Sequence, residues 1–339
     1  MNEQADPFDD IRTLLERMPG PDTDAGDAAR ARETQLVKPA GSLGRLEEIA
    51  TWVATWQGRG TPAITRPVVA IFAGSHGVAE RGVSAYPASV NRQMVETFAA
   101  GGAAINQICA NGDLGLKVFE LALDMPCGDI TAEPALAEAD CAATIAYGME
   151  AVAGGSDLLC LGEMGIGNTT AAAALCAGLF GGSGADWAGS GTGVDDAGYA
   201  RKVEAVDQAL ACHAGELDDP LHALRRLGGR EFSAICGAII AARYERVPVI
   251  LDGFPVTAAA AVLQKLKPRA LDHCILGHLS GEQGHVQLAQ ELGMEPVLSL
   301  GMRLGEGTGA ALAAGIVRAA VATHTGMATF ETAGVSGPA

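Results

Sequence analysis

Apolar and polar positions along the chain alternate between two rhythms. Short runs rich in Val, Ile, Leu and Cys recur at 67–73, 116–122, 157–161, 247–252, 272–276 and 296–300, and each reads as a strand. They are followed by glycine-containing turns and Ala-rich stretches of helical spacing, the pattern of parallel strands joined by crossover helices. Asp157-Leu-Leu-Cys-Leu161 and Pro248-Val-Ile-Leu-Asp252 are apolar through their interiors instead of alternating. A strand requires that only when helices cover both faces of its sheet. The expected fold is therefore α/β, a doubly wound, mainly parallel six-stranded sheet flanked by helices.

The two ends break this rhythm. Ile11–Met18, Asp24–Val37 and Leu46–Trp56 have helical spacing with no strand between them, and 307–323 carries a face of Ala, Leu, Ile and Val. The pattern predicts a smaller helical domain built from residues 1–60 and 306–339, flanking a large Rossmann-like domain at 61–305.

Composition narrows the function classes. A chain of 339 residues that is 48% hydrophobic and 19% charged, with 45 Gly and 15 Pro, suits a compact enzyme rich in tight strand-to-helix turns. The formal charge of −17 repels a phosphate backbone and no basic stripe overrides it, so no nucleic-acid partner is expected. Cysteines at 109, 127, 141, 160, 176, 212, 236 and 274 form no Cys-x-x-Cys pair. They read as reduced residues of a cytoplasmic protein. The acidic start of the chain and the lack of any stretch near ~18 apolar residues argue against export or membrane insertion.

Three glycine clusters are the candidate chemistry. In Glu163-Met-Gly-Ile-Gly-Asn-Thr-Thr170, a turn after an apolar strand opens an Ala-rich helix. It presents free N–H groups and the positive helix end to a phosphate, or is a plain turn with Thr169 as cap. Gly165 and Gly167 lack the third glycine of a dinucleotide fingerprint, and no Gly-Lys-Ser/Thr follows. Gly189-Ser-Gly-Thr-Gly-Val-Asp-Asp196 precedes a helix with Arg201 and Lys202, either a sugar-phosphate loop with its cation or a flexible loop beside a solvated basic pair. In Leu304-Gly-Glu-Gly-Thr-Gly309, Glu306 sits among glycines at what reads as a sheet edge. It is either a partly desolvated general base or a complement to the helix N-terminus. His278, Glu282 and His285, with Cys274 upstream, invite a metal reading. The two histidines are seven apart across a glycine-broken segment, so no metal and no cofactor is expected. Ser280 is a phosphate contact or an N-cap, and His76 in Gly74-Ser-His-Gly77 is a base or a satisfied turn residue.

With these clusters in view, the chain resembles the nicotinate-nucleotide–dimethylbenzimidazole phosphoribosyltransferases of cobalamin biosynthesis. The resemblance rests on Lys38 to Glu47, Phe72 to Gly77 with Gly82 to Pro87, Glu163 to Thr170, Gly191 to Asp195, Gly277 to Gly281 and Gly301 to Gly309, in order over nearly the whole chain. It implies transfer of the phosphoribosyl group of nicotinate mononucleotide to a benzimidazole base, with inversion at C1′, by a homodimer. It further implies Glu306 as catalytic base and Glu163 as a second active-site carboxylate. The phosphoribosyl site falls on Gly165, Gly167, Asn168, Thr169, Gly191, Thr192, Gly193, Asp195, Lys202 and Ser280. The base pocket falls on Ser84, Gln93, Met164 and Leu304. A nicotinamide-dependent enzyme on the same fold would need the missing Gly-x-Gly-x-x-Gly. A silent nucleotide-binding regulator would need neither Glu306 nor Glu163.

Overall fold

A computed structural model describes residues 6–191 and 193–337. Six parallel strands form one sheet in the order β2-β1-β3-β4-β5-β6: β1 Pro67–Ala73, β2 Gly115–Glu120, β3 Leu158–Met164, β4 Val249–Leu251, β5 Cys274–His278 and β6 Pro296–Leu298. All six coincide with the expected runs to within a few residues. The largest difference is β3, which runs on through Glu163 and Met164 because both remain paired with β1.

The apolar interiors of the strands reflect two cores. Ala70, Phe72, Leu159 and Leu161 face one core, while Val69, Ile71, Leu158 and Cys160 face the other, as the twofold strand period requires. Helices Asn168–Phe180, Pro220–Leu227, Arg230–Tyr244 and Phe254–Leu266 cover the first face, and Arg45–Gln57, Ala104–Gly112 and Thr308–Gly326 cover the second. The doubly wound architecture follows.

Helices from the chain ends meet as well. Thr23–Glu33 packs on Arg45–Gln57, which packs on Thr308–Gly326. Arg32 donates to the carbonyls of His324, Thr325 and Met327. Lys38 joins Glu33 at 2.9 Å and Glu47 at 2.7 Å, with His324 on the other Glu33 oxygen. The first helix, Asp9–Glu16, goes to the opposite face, where Arg12 pairs with Asp219 and Tyr244 donates to the Leu14 carbonyl.

Strand order positions the site. From β1 the chain moves outward to β2, then returns to the other side of β1 for β3 and continues to β6. Connections leaving the carboxyl ends of β1 and β3 therefore diverge, and open α/β sheets bind ligands outside the carboxyl ends of their strands near such a switch. Among the described residues no helix is long and apolar enough to cross a membrane. Seven of the eight cysteines are buried thiols, whereas Cys212 is exposed at the end of the helix Asp196–Cys212.

Candidate active site

At the carboxyl ends of β3, β4 and β5, a cleft is lined by Glu163, Met164, Gly165, Ile166, Asn168, Thr169, Gly191, Gly253 to Pro255, His278, Ser280, Glu282 and Arg303 to Gly305. The three glycine clusters, far apart in sequence, converge here.

The loop carrying Glu306 is strapped across β3. The Glu306 N–H donates to the Glu163 carbonyl at 3.2 Å. A Cβ on Gly162 would lie 2.5 Å from the Gly307 nitrogen, so only glycine lets the loop lie so close to the strand. Gly305, Glu306 and Gly307 are consecutively left-handed, at φ +84°, +61° and +75°. For a residue with a side chain that conformation costs about 1–2 kcal/mol, a strain typical of functional positions. The sequence placed Glu306 at a sheet edge, and the structure corrects this. After edge strand β6 the chain crosses back over the central strands, because the apolar face of Thr308–Gly326 is buried on β3, β4 and β5.

Asp252, fully buried after β4, accepts from the N–H groups of Gly307 at 3.1 Å and Ala310 at 2.9 Å. These are the unpaired donors of the helix start, so the helix-terminus role considered for Glu306 belongs to Asp252. Glu306 is left buried, with Oε2 unpartnered. Burial, and then the charge of Asp252, push its carboxyl up to about 7. Glu163, also buried, accepts from Asn168 Nδ2. Burial raises it to about 8; the Asn168 hydrogen bond opposes this, and the charges of Asp252, Glu231 and Glu306 reinforce it. Near neutral pH the site therefore holds one carboxyl close to half ionised and one mostly protonated.

The Gly165 turn is fixed from behind. The Ile166 N–H donates to Asn91 at 2.8 Å, and a Cβ on Gly165 would lie 2.5 Å from Glu231 Oε1. Glu231 in turn binds His76, both almost fully buried, so His76 is a partnered imidazole under the turn. The helix Asn168–Phe180 starts at Gly167 (φ +92°) with no side-chain cap. Thr169, a cap candidate, instead accepts from Lys202 Nζ at 2.9 Å. Lys202 is buried, and desolvation lowers its ammonium to about 8. Beside it Gly191 is left-handed (φ +55°), and a Cβ there would lie 2.8 Å from Nζ.

Arg303 donates to the Gly191 carbonyl at 2.7 Å, locking the second and third clusters together. Asp195 caps the helix Asp196–Cys212 through the Gly198 N–H at 2.8 Å, and Gly193 adjoins Arg303. Thr192 lies outside the described residues. Ser280 is buried and accepts from the Glu282 N–H at 3.3 Å. His285 takes the Ser280 N–H on Nδ1 and contacts Thr257 through Nε2, and burial lowers it to about 3. His278 packs edge to face on His285, ring centroids 6.3 Å apart, and lies 3.5 Å from Asp252.

Of the residues assigned to the base, Met164 and Leu304 line the cleft, Met164 buried and Leu304 53% exposed. Ser84 and Gln93 are not in the lining: Ser84 accepts from the Tyr86 N–H, and Gln93 is exposed on the helix Val90–Ala99. Sequence reasoning passed over Asp252, Arg303 and the His76–Glu231 pair. Asp252 closes an apolar strand just before a glycine, which was the available signal; nothing in sequence tied Arg303 to Gly191 or His76 to Glu231.

A family model described as Phosphoribosyltransferase matches residues 18–335. A nicotinate-nucleotide–dimethylbenzimidazole phosphoribosyltransferase of Rhizobium rhizogenes is 64% identical over 330 residues, covering 97% of each chain. That of Agrobacterium fabrum is 65% identical over 329 residues, covering 97% of this chain and 95% of its own. The crystal structure of CobT from Thermus thermophilus superposes with a TM-score of 0.87 at 42% identity, covering 93% of this chain and all of the other. Identity at this level over nearly the full length, on the same all-parallel sheet, leads to one conclusion: the chain belongs to the nicotinate-nucleotide–dimethylbenzimidazole phosphoribosyltransferase family.

Proposed function

We propose that the protein transfers the phosphoribosyl group of nicotinate mononucleotide to 5,6-dimethylbenzimidazole or a related base, giving α-ribazole 5′-phosphate and nicotinate. The reading places the reaction in cobalamin nucleotide-loop assembly. The observation that carries it is Glu306: a strained, buried carboxyl with one unpartnered oxygen, next in the chain to the cleft residues Leu304 and Gly305 and held at about 7. One base nitrogen attacks C1′ while the C1′–N bond to nicotinate breaks, its electron pair returning to the pyridinium ring. The N–H proton of the attacking base passes to the Glu306 carboxylate. Nicotinate departs from a cationic ring and needs no general acid. Attack from the face opposite the leaving group inverts C1′.

The remaining roles are assigned on the same reading. Lys202, Ser280 and the N–H groups around Gly165, Gly167 and Gly191 suit the phosphate. Gly193 and Asp195 belong to the loop beside it. Met164 and Leu304 supply apolar surface for the base. Glu163, protonated and oriented by Asn168, presents a neutral polar group beside Glu306. Holding two reactants at contact distance supplies much of the rate when chemistry is a single displacement.

A homodimer in the cytoplasm completes the proposal. Leu312 and Ile316, four residues apart on Thr308–Gly326 and 36% and 37% exposed, form an apolar stripe suited to a second copy. The test is incubation with nicotinate mononucleotide and a panel of benzimidazoles, adenine and phenolics, with mass and NMR detection of the ribotide. An α-configured benzimidazole ribotide is expected. A β-anomer, or no transfer to any base, refutes the reading.

A further inference from the structure

Glu282 belongs to none of the roles above. It stands at the start of the helix Gln283–Glu291, yet its carboxylate does not cap that helix. The side chain is 4% exposed and lines the cleft, and neither Oε1 nor Oε2 has a partner among the described residues. It points at the loop of the second glycine cluster, where a Cβ on Gly189 would lie 2.3 Å from Oε2. A buried carboxylate without donors is costly, and a ligand that supplies them offsets that cost.

The surroundings define that ligand. Ser280 holds the Glu282 backbone N–H, and Lys202 and Glu282 meet the same loop two residues apart, where a Cβ on Gly191 would lie 2.8 Å from Lys202 Nζ and one on Gly189 2.3 Å from Glu282 Oε2. The carboxylate therefore lies within a sugar's length of the group assigned to phosphate, but cannot itself serve phosphate or the nicotinate carboxylate, both anionic. Two orphaned acceptor oxygens on one carbon match two vicinal hydroxyl donors.

We propose that Glu282 accepts the 2′- and 3′-hydroxyls of the nucleotide ribose and so fixes the sugar's rotation relative to Glu306. This rests on the functional reading above. With both hydroxyls held, the face of C1′ opposite the pyridinium is turned towards the base slot. Glu282 is thus a positioning residue for the displacement.

The test is calorimetric binding to the full chain, without acceptor base, of nicotinate mononucleotide and its 2′-deoxy and 3′-deoxy analogues. The wild type is expected to prefer the ribonucleotide by about ten- to hundredfold, the worth of a hydrogen bond to a charged group. Glu282→Ala is expected to bind all three equally and weakly, and the isosteric Glu282→Gln, which keeps one acceptor, to show a reduced preference. Full discrimination in either variant overturns the proposal. So does tighter phosphate binding in Glu282→Ala with discrimination unchanged, the mark of a counter-charge to Lys202. Equal wild-type affinity for the three ligands overturns it without any variant. Parallel turnover separates the two readings: wild-type discrimination with no transfer to a base sinks the reaction and leaves the hydroxyl site standing.

Discussion

Replacing Glu306 with Gln makes opposite demands on activity and stability. The amide keeps the size and polarity of the side chain but cannot take the proton of the attacking base. General-base catalysis contributes about 10²- to 10⁴-fold, so kcat is expected to fall by that order with nucleotide binding unchanged. Stability moves the other way. The folded carboxyl is raised from 4.5 to about 7, so its favourable contribution is complete below pH ~4.5 and is lost as pH rises through 7. That rise corresponds to a destabilising penalty of about 3 kcal/mol in the wild type at pH 8, absent from the Gln variant. The variant is thus expected to match the wild type near pH 4.5 and to exceed it by up to that amount at pH 8. A role at the helix terminus predicts instead a variant less stable by about 0.3–1 kcal/mol at every pH, with normal turnover. Turnover and urea unfolding on one preparation, across pH 4.5 to 8, separate the two. Near-wild-type kcat in Glu306→Gln would falsify the assignment.

Glu163→Gln should cost less than about tenfold in kcat at pH 7, since Glu163 is held protonated there at about 8; a larger loss makes its ionised form catalytic. In the wild type, kcat/KM should rise with pH through about 7 as Glu306 ionises, and that limb should vanish in Glu306→Gln. Lys202→Ala should raise the apparent KM for the nucleotide at least about tenfold and leave that for the base unchanged. Because desolvation lowers Lys202 to about 8, binding an anionic phosphate near pH 8.5 should take up a proton, read from the buffer dependence of the calorimetric enthalpy. Gly165→Ala places a Cβ 2.5 Å from Glu231 and should destabilise the fold by about 1–3 kcal/mol while lowering kcat; a variant as stable and active as wild type would show that the turn yields freely.

What the sequence determined by itself was local. Strand runs buried on both faces must be apolar, so all six strands and the α/β class were legible in the pattern alone. Glycine motifs at strand ends marked Glu163 and Glu306 because left-handed turns and close backbone approach leave a compositional trace. Tertiary structure alone decided the rest. Strand order, with its switch between β1 and β3, depends on which loops cross back, and local spacing carries no record of that. Asp252 took over the helix terminus and freed Glu306 through contacts about fifty residues away in sequence. Arg303 reached Gly191, and His76 reached Glu231, by the same long-range convergence. The raised proton affinities of Glu163 and Glu306 come first from burial and then from neighbouring charges, and both exist only once the chain has folded around them.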